Sequence, residues 1–253
     1  MASLDGKTAL ITGGSRGIGE AIATEFARQG AQLILVSRKR EGLQAAASRI
    51  EAETGVSARI EPCHTGDLAN IGRLFEGLDA DGVVVDTLIN NAATNPYFGP
   101  MMGVEYAAWD KTFDVNVKGS FEFSRQVATR LLDAGKGGSI LNVSSVYGTT
   151  GAPFQGVYAM TKASLISLTM TLAQEWGQAG IRVNALAPGL VDTKFAAAIV
   201  HNPALSKVFS DRSALGRHAQ AEEIAGIAAF LSSDAASFIT GATLPVDGGY
   251  TAG

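Results

Sequence analysis

The sequence predicts an α/β fold in which a parallel sheet is covered by helices on both faces. Short, nearly continuous apolar runs alternate with longer helical patterns from one end of the chain to the other. The first strand-to-helix junction, Thr12 to Gly19, is glycine-rich, as a turn at the carboxyl edge of such a sheet requires. Of the 253 residues, 46% are hydrophobic and only 17% charged, so much of the chain must be buried. No linker, low-complexity stretch or repeat divides it, and one domain spanning 1–253 is expected.

The elements follow from local pattern. Thr8–Thr12 reads as a buried strand, and Arg16–Gln29 as a helix with Ile18, Ala21, Ile22 and Phe26 on one stripe. Gln32–Ser37 is a second strand, followed by a polar-faced helix over Glu41–Glu53 that closes near Gly55. Ser57–Pro62 is a third strand, with a helix over Asn70–Leu78 after it. Thr87–Asn90 is a fourth strand, and Trp109–Ala134 a long helix with a break expected near Gly119. Ser139–Ser144 and Ile181–Ala187 are strands flanking a helix over Gly156–Ala179. A helix over Ala221–Ser232 and a strand over Ala242–Val246 complete the chain. Residues 189–217 are the least regular segment; its length suits a lid or binding loop.

Composition excludes several functions. The net charge is −4 with no basic run, which argues against nucleic acid or an anionic membrane as partner. Cys63 is the only cysteine, so no intramolecular disulfide forms, and the three histidines lack metal-ligand spacing; no metal is expected. The N-terminus does not read as a signal peptide, and the run Ile224–Leu231 is far short of the roughly 18 residues of a membrane span. A soluble, cytoplasmic protein is the expectation. Cys63 reads as a packed residue, Trp109 and Trp176 as helix packing, and His64 and His218 as surface positions, while His201 sits in the irregular segment.

In the loop Thr12-Gly13-Gly14-Ser15-Arg16-Gly17-Ile18-Gly19, glycines let the backbone approach a pyrophosphate. The following helix offers free N–H groups and a partial positive charge. Dinucleotide binding is the reading, with Gly13, Ser15, Arg16, Gly17, Ile18 and Gly19 as candidate contacts. The second strand ends in Ser37-Arg38-Lys39, where a carboxylate would favour NAD by binding the ribose hydroxyls. Here cations follow Ser37, and Arg16 is a further one, so NADP(H) is expected over NAD(H).

Tyr158 and Lys162 lie four residues apart, one turn on a helix face. A phenol titrates near pH ~10, and a nearby cation lowers that value. The pair can therefore act as a tuned acid/base at a carbonyl or alcohol.

These residues together resemble the short-chain dehydrogenase/reductase family, over nearly the whole chain. The glycine loop has its TGxxxGxG pattern and Tyr158/Lys162 its YxxxK. Asp67-Leu68 is similar to the pair beside the adenine, and Asn90-Asn91-Ala92-Ala93 to NNAG, with Ala93 in place of glycine. Asn116 matches the helix asparagine, and Ser145, thirteen residues before Tyr158, the catalytic serine, with Ser144 the alternative. Pro188, Gly189, Val191 and Thr193 resemble the segment that holds the nicotinamide carboxamide.

The resemblance implies a single-domain Rossmann-like three-layer sandwich with seven parallel strands, assembled as a homotetramer. It implies cofactor contacts from Asp67, Leu68, Asn91 and Ala92, and catalysis by Asn116, Ser145, Tyr158 and Lys162. Tyr158 moves the proton, Ser145 holds the substrate oxygen, Lys162 lowers the Tyr158 pKa and binds the ribose, and Asn116 supports a water chain from Lys162. The expected function is an NADP(H)-dependent carbonyl reductase or alcohol dehydrogenase acting on a small carbonyl or alcohol. The stretches Asn91–Gly99 and Leu186–Leu190 are similar to the peroxisomal carbonyl reductase branch, although the chain ends Tyr250-Thr251-Ala252-Gly253 rather than in a Ser-Lys-Leu address. The alternatives are a 3-oxoacyl-thioester reductase and a catalytically silent NADP(H)-binding regulator. Tyr97, Phe98, Met101, Met102, Phe154 and Phe195 are candidate pocket walls.

Overall fold

A computed structural model describes residues 3–252. Its seven strands are β1 (Thr8–Thr12), β2 (Gln32–Ser37), β3 (Ala58–Pro62), β4 (Thr87–Asn90), β5 (Gly138–Val143), β6 (Ile181–Pro188) and β7 (Thr243–Val246). They form one parallel sheet in the order β3-β2-β1-β4-β5-β6-β7. The order reverses between β1 and β4, and the crevice outside the carboxyl ends at that point is where such sheets bind ligands. This is the Rossmann-like α/β architecture expected.

Strand alternation sorts the core onto the two faces. Ala9, Ile11, Leu33, Leu35, Leu141 and Leu186 point to one side. They pack there against α1 (Gly17–Arg28), α2 (Arg40–Thr54) and α9 (Glu222–Ser232). Leu10, Ile34, Val36, Leu88, Ile140 and Val183 point to the other. On that side lie α3 (Leu68–Ala80), α5 (Gly119–Asp133) and α6 (Gly156–Trp176).

Two regions differ from the sequence reading. The helix expected over Trp109–Ala134 is two helices, α4 (Tyr106–Phe113) and α5, joined by a π turn at Asp114–Lys118. The turn places Gly119 against the Thr65 carbonyl, so closely that a side-chain carbon would overlap it. The segment 189–217 is more regular than its sequence suggests. It carries α7 (Ala197–Val200) and α8 (Pro203–Arg212), the latter capped by the Asn202 side chain accepting from Ala204 and Leu205 N–H. Among the described residues no helix is long and apolar enough to cross a membrane.

Candidate active site

The glycine loop is pinned from beneath by a residue outside the sequence-stated contacts, Thr12. Its hydroxyl donates to the Ile89 carbonyl at 3.1 Å and accepts from the N–H groups of Asn91 and Ala92, each at 3.0 Å. Asn91 returns the tie, its amide donating to the carbonyls of Thr12 and Gly13. This locks the ends of β1 and β4 together across the switch point. Gly13 and Gly17 both take left-handed backbone, φ 67° and 57°, which favours glycine. A side chain at Gly19 would overlap the Gly13 carbonyl, and one at Gly17 would press on Thr193, 3.2 Å away.

Arg16 precedes α1 without capping it through its side chain, so the first N–H groups of that helix face an anion-sized approach. Arg16 and Arg38 are exposed and, among the described residues, neither forms an ion pair. A backbone cradle that tolerates only glycine, an open helix terminus and unpaired guanidinium groups fit a phosphorylated dinucleotide. Asp67 and Leu68 lie on the same rim; Asp67 is exposed and caps α3 by accepting from Asn70 N–H at 3.0 Å. Pro188 and Gly189 end β6 against β7, and Val191 bridges to Ala219, which leads Thr193 back over the glycine loop.

Tyr158 and Lys162 lie on the buried face of α6. The Lys162 ammonium is 2% exposed, donates to the Val143 carbonyl at 2.6 Å and sits 5.4 Å from the Tyr158 ring centre. Burial pulls its pKa down from 10.5 to about 7. Tyr158 differs from the sequence expectation of a lowered pKa. Burial pushes its phenol up, the hydrogen bond to Ser145 offsets part of that, and the Tyr147 phenol adds to the rise. Desolvation outweighs the other influences on the phenol.

The structure also separates the two serines. Ser144 is committed to the backbone, its hydroxyl donating to the Lys162 carbonyl at 2.8 Å. Ser145 faces Tyr158, whose pKa it lowers, and accepts from Tyr147 N–H at 3.2 Å. Asn116, fully buried in the π turn, donates to the Thr94 carbonyl and the Thr161 hydroxyl, and accepts from Thr94 N–H. None of these bonds reaches Lys162. The link is indirect, since Thr161 in turn donates to the Tyr158 carbonyl at 2.7 Å.

The mouth of the site is aromatic. Phe195, half-exposed, tilts over the Tyr158 ring at 5.8 Å between centres, and Phe98 stacks on Phe154 at 6.1 Å. Phe154 is the one described non-glycine residue with positive φ, 66°, a strained conformation for so large a side chain. Its carbonyl accepts from Gly99 N–H at 2.9 Å, and Met101 packs where a side chain at Gly156 would be. Tyr97 turns back into its own loop, donating to the Pro100 carbonyl.

A family model described as enoyl-(acyl carrier protein) reductase matches residues 13–251. Dehydrogenase/reductase SDR family member 4 of Bos taurus is 39% identical over 246 residues, covering 97% of this chain and 88% of the relative. The chain belongs to the short-chain dehydrogenase/reductase family. The D-threitol dehydrogenase of Mycolicibacterium smegmatis is 36% identical over 251 residues, covering 98% of this chain and 94% of that one. Among solved structures, a gluconate 5-dehydrogenase from Burkholderia cenocepacia J2315, in complex with NADP and tartrate, superposes with a TM-score of 0.94 at 34% identity, covering 99% of this chain and 97% of that one. As a short-chain dehydrogenase/reductase, the chain is an oxidoreductase of CH–OH groups.

One side of the short-chain dehydrogenase/reductase site escaped the sequence reading. Phe209 of α8 lies edge-on to Tyr147 at 6.2 Å and stacks on Tyr250 at 5.6 Å. Arg212 lies over the other aromatic contact, 4.3 Å from the Tyr250 ring centre, and donates to the Tyr250 hydroxyl at 3.3 Å. Tyr147 had a local signal, standing two residues after Ser145 in the same loop. Arg212 and Tyr250 had none, being 38 residues apart in sequence.

Proposed function

We propose that this short-chain dehydrogenase/reductase interconverts ketones or aldehydes and alcohols with NADP(H), as a carbonyl reductase or alcohol dehydrogenase. The carrying observation is the buried Tyr158–Ser145–Lys162 cluster at the carboxyl end of β5. NADP(H), when bound, supplies or accepts the hydride. Gly13, Ser15, Arg16, Gly17, Ile18 and Gly19, with Ser37, Arg38, Asp67, Leu68, Asn91, Ala92, Pro188, Gly189, Val191, Thr193 and the catalytic Tyr158 and Lys162, would hold it. The preference for NADP(H) is supported by the unpaired Arg16 and Arg38 and by the lack of a carboxylate at the end of β2.

Tyr158 gives a proton to the carbonyl oxygen in reduction and removes it from the hydroxyl in oxidation. The phenol is protonated at neutral pH and so has a proton to give, while its desolvation opposes the phenolate left behind. Ser145 holds the same oxygen by a hydrogen bond. Lys162, its ammonium 5.4 Å from the Tyr158 ring centre, in its charged form favours the phenolate and would bind the nicotinamide ribose. Asn116 fixes the Thr94 backbone and Thr161, and through Thr161 the Tyr158 turn. The chain acts as one domain, residues 189–217 forming the lid. Exposed apolar side chains on α5 and α6, among them Phe121, Leu132 and Met170, support a homotetramer.

The 3-oxoacyl-thioester reading is kept because the matching family model is described by an acyl carrier protein substrate. Oxidation of NADPH and NADH by the purified protein, followed by absorbance, separates the readings with simple ketones, aldehydes and a β-ketoacyl thioester. Turnover of ketones with NADPH is expected. Turnover of the thioester alone would move the function to the second reading, and tight NADPH binding with no turnover to a silent regulator.

A further inference from the structure

We infer that Arg212 binds a carboxylate on the substrate, so that the preferred substrates are hydroxy acids and the matching keto acids. This deepens the hydride-transfer reading above and rests on it.

The argument starts from charge pairing on the lid. Lys207 pairs with Asp211, and Arg217 pairs with Glu223. Arg212, between them, has no acidic partner among the described residues, although its neighbour Asp211 is available to Lys207. Its position is nevertheless held. The Tyr250 ring supports the guanidinium plane and the Tyr250 hydroxyl takes one of its N–H groups. A stacked guanidinium loses little freedom on binding and keeps its other donors in a planar fork, matched to two carboxylate oxygens.

The fold brings the end of α8 to the catalytic loop. The end of α8 is tied to the loop after β7, where the Ser213 hydroxyl and Leu215 N–H both donate to the Gly248 carbonyl, at 2.9 and 3.0 Å. Tyr250 is buried, and Phe209 joins it to Tyr147, stacking on the Tyr250 ring at 5.6 Å and lying edge-on to Tyr147 at 6.2 Å. Tyr147 stands two residues from Ser145, and its phenol is close enough to Tyr158 to influence it. Arg212 is thus joined to a residue of the catalytic loop through the Tyr250 and Phe209 rings. A substrate whose carbonyl meets Ser145 and Tyr158 would reach Arg212 through a short carbon chain. Burial holds Tyr147 protonated, so its phenol is neutral and does not repel an anion.

The test compares acids with neutral counterparts of nearly the same shape: levulinate with methyl levulinate, and acetoacetate with methyl acetoacetate. The wild type should favour each acid over its ester in kcat/KM. Arg212→Met should lose about 10- to 100-fold on the acids, chiefly through KM, as expected for removal of a charge-assisted pair. It should change the esters by less than about 2-fold, and Arg212→Lys should recover part of the loss. Equal losses on acids and esters would make Arg212 a structural tie for Tyr250 and overturn the inference, as would a wild type indifferent to the carboxylate. Calorimetric titration of levulinate into wild type and Arg212→Met reads the contact without turnover. Tighter binding by the wild type supports the anion site even where no substrate is turned over, an outcome that counts against the hydride-transfer reading alone; equal binding overturns the anion site.

Discussion

Lys162→Met removes a buried ammonium, and the structure sets the size and pH dependence of the effect. Burial lowers the Lys162 pKa from 10.5 to about 7. At roughly 1.4 kcal/mol per unit, the charged side chain costs the folded state about 5 kcal/mol relative to an unperturbed lysine. Between about pH 7 and 10.5 the unfolded chain holds a proton that the folded one has released, so stability rises with pH across that window. The penalty is full below pH 7 and gone above 10.5. Methionine carries no proton, so it escapes the penalty, but it leaves the Val143 carbonyl without its donor, a pH-independent loss of about 1–3 kcal/mol. The variant should therefore be about 2–4 kcal/mol more stable near pH ~6, and that advantage should shrink by about 2–3 kcal/mol near pH ~9. Urea unfolding at both pH values, at one protein concentration and without cofactor, measures the difference. A difference that does not change with pH, or a less stable variant at the lower pH, would refute the burial argument.

Two further outcomes concern the chemistry. Tyr158→Phe keeps the ring against Phe195 and removes only the hydroxyl; turnover should fall by about 10²- to 10⁴-fold with NADPH affinity nearly unchanged by fluorescence titration. A parallel loss of NADPH affinity would remove Tyr158 from the proton-donor role. Arg38→Asp exchanges an exposed, unpaired cation for an anion at the expected phosphate position, and the ratio of kcat/KM for NADPH to that for NADH should drop by about 100-fold or more. An unchanged ratio would show that Arg38 does not read the phosphate.

The parts of the site legible in the sequence are those whose chemistry is local. The glycine loop and the Tyr158/Lys162 spacing each lie within one turn or one helix, where backbone geometry fixes neighbours. Ser144 and Ser145 are chemically equal as letters. Only the pairing of β5 with α6, which commits Ser144 to the Lys162 carbonyl, separates them. The break before α5 was legible as a glycine, but its cause, the Thr65 carbonyl, comes from a loop far upstream. Asn116 was legible as a motif residue, yet its partners Thr94 and Thr161 belong to other elements.

The sequence by itself determined the α/β alternation, the parallel strands and the dinucleotide loop, because hydrophobic period and turn chemistry act over a few residues. The tertiary structure alone decided the protonation balance and the far wall of the pocket. Desolvation of Tyr158 and Lys162 sums over every element packed around them, so it reverses the lowering of the Tyr158 pKa that the pair's spacing suggests. The meeting of Arg212 with Tyr250, and of Phe209 with both Tyr250 and Tyr147, depends on α8 folding back over the loop after β7. No local pattern encodes a contact between residues that only the closed chain brings together.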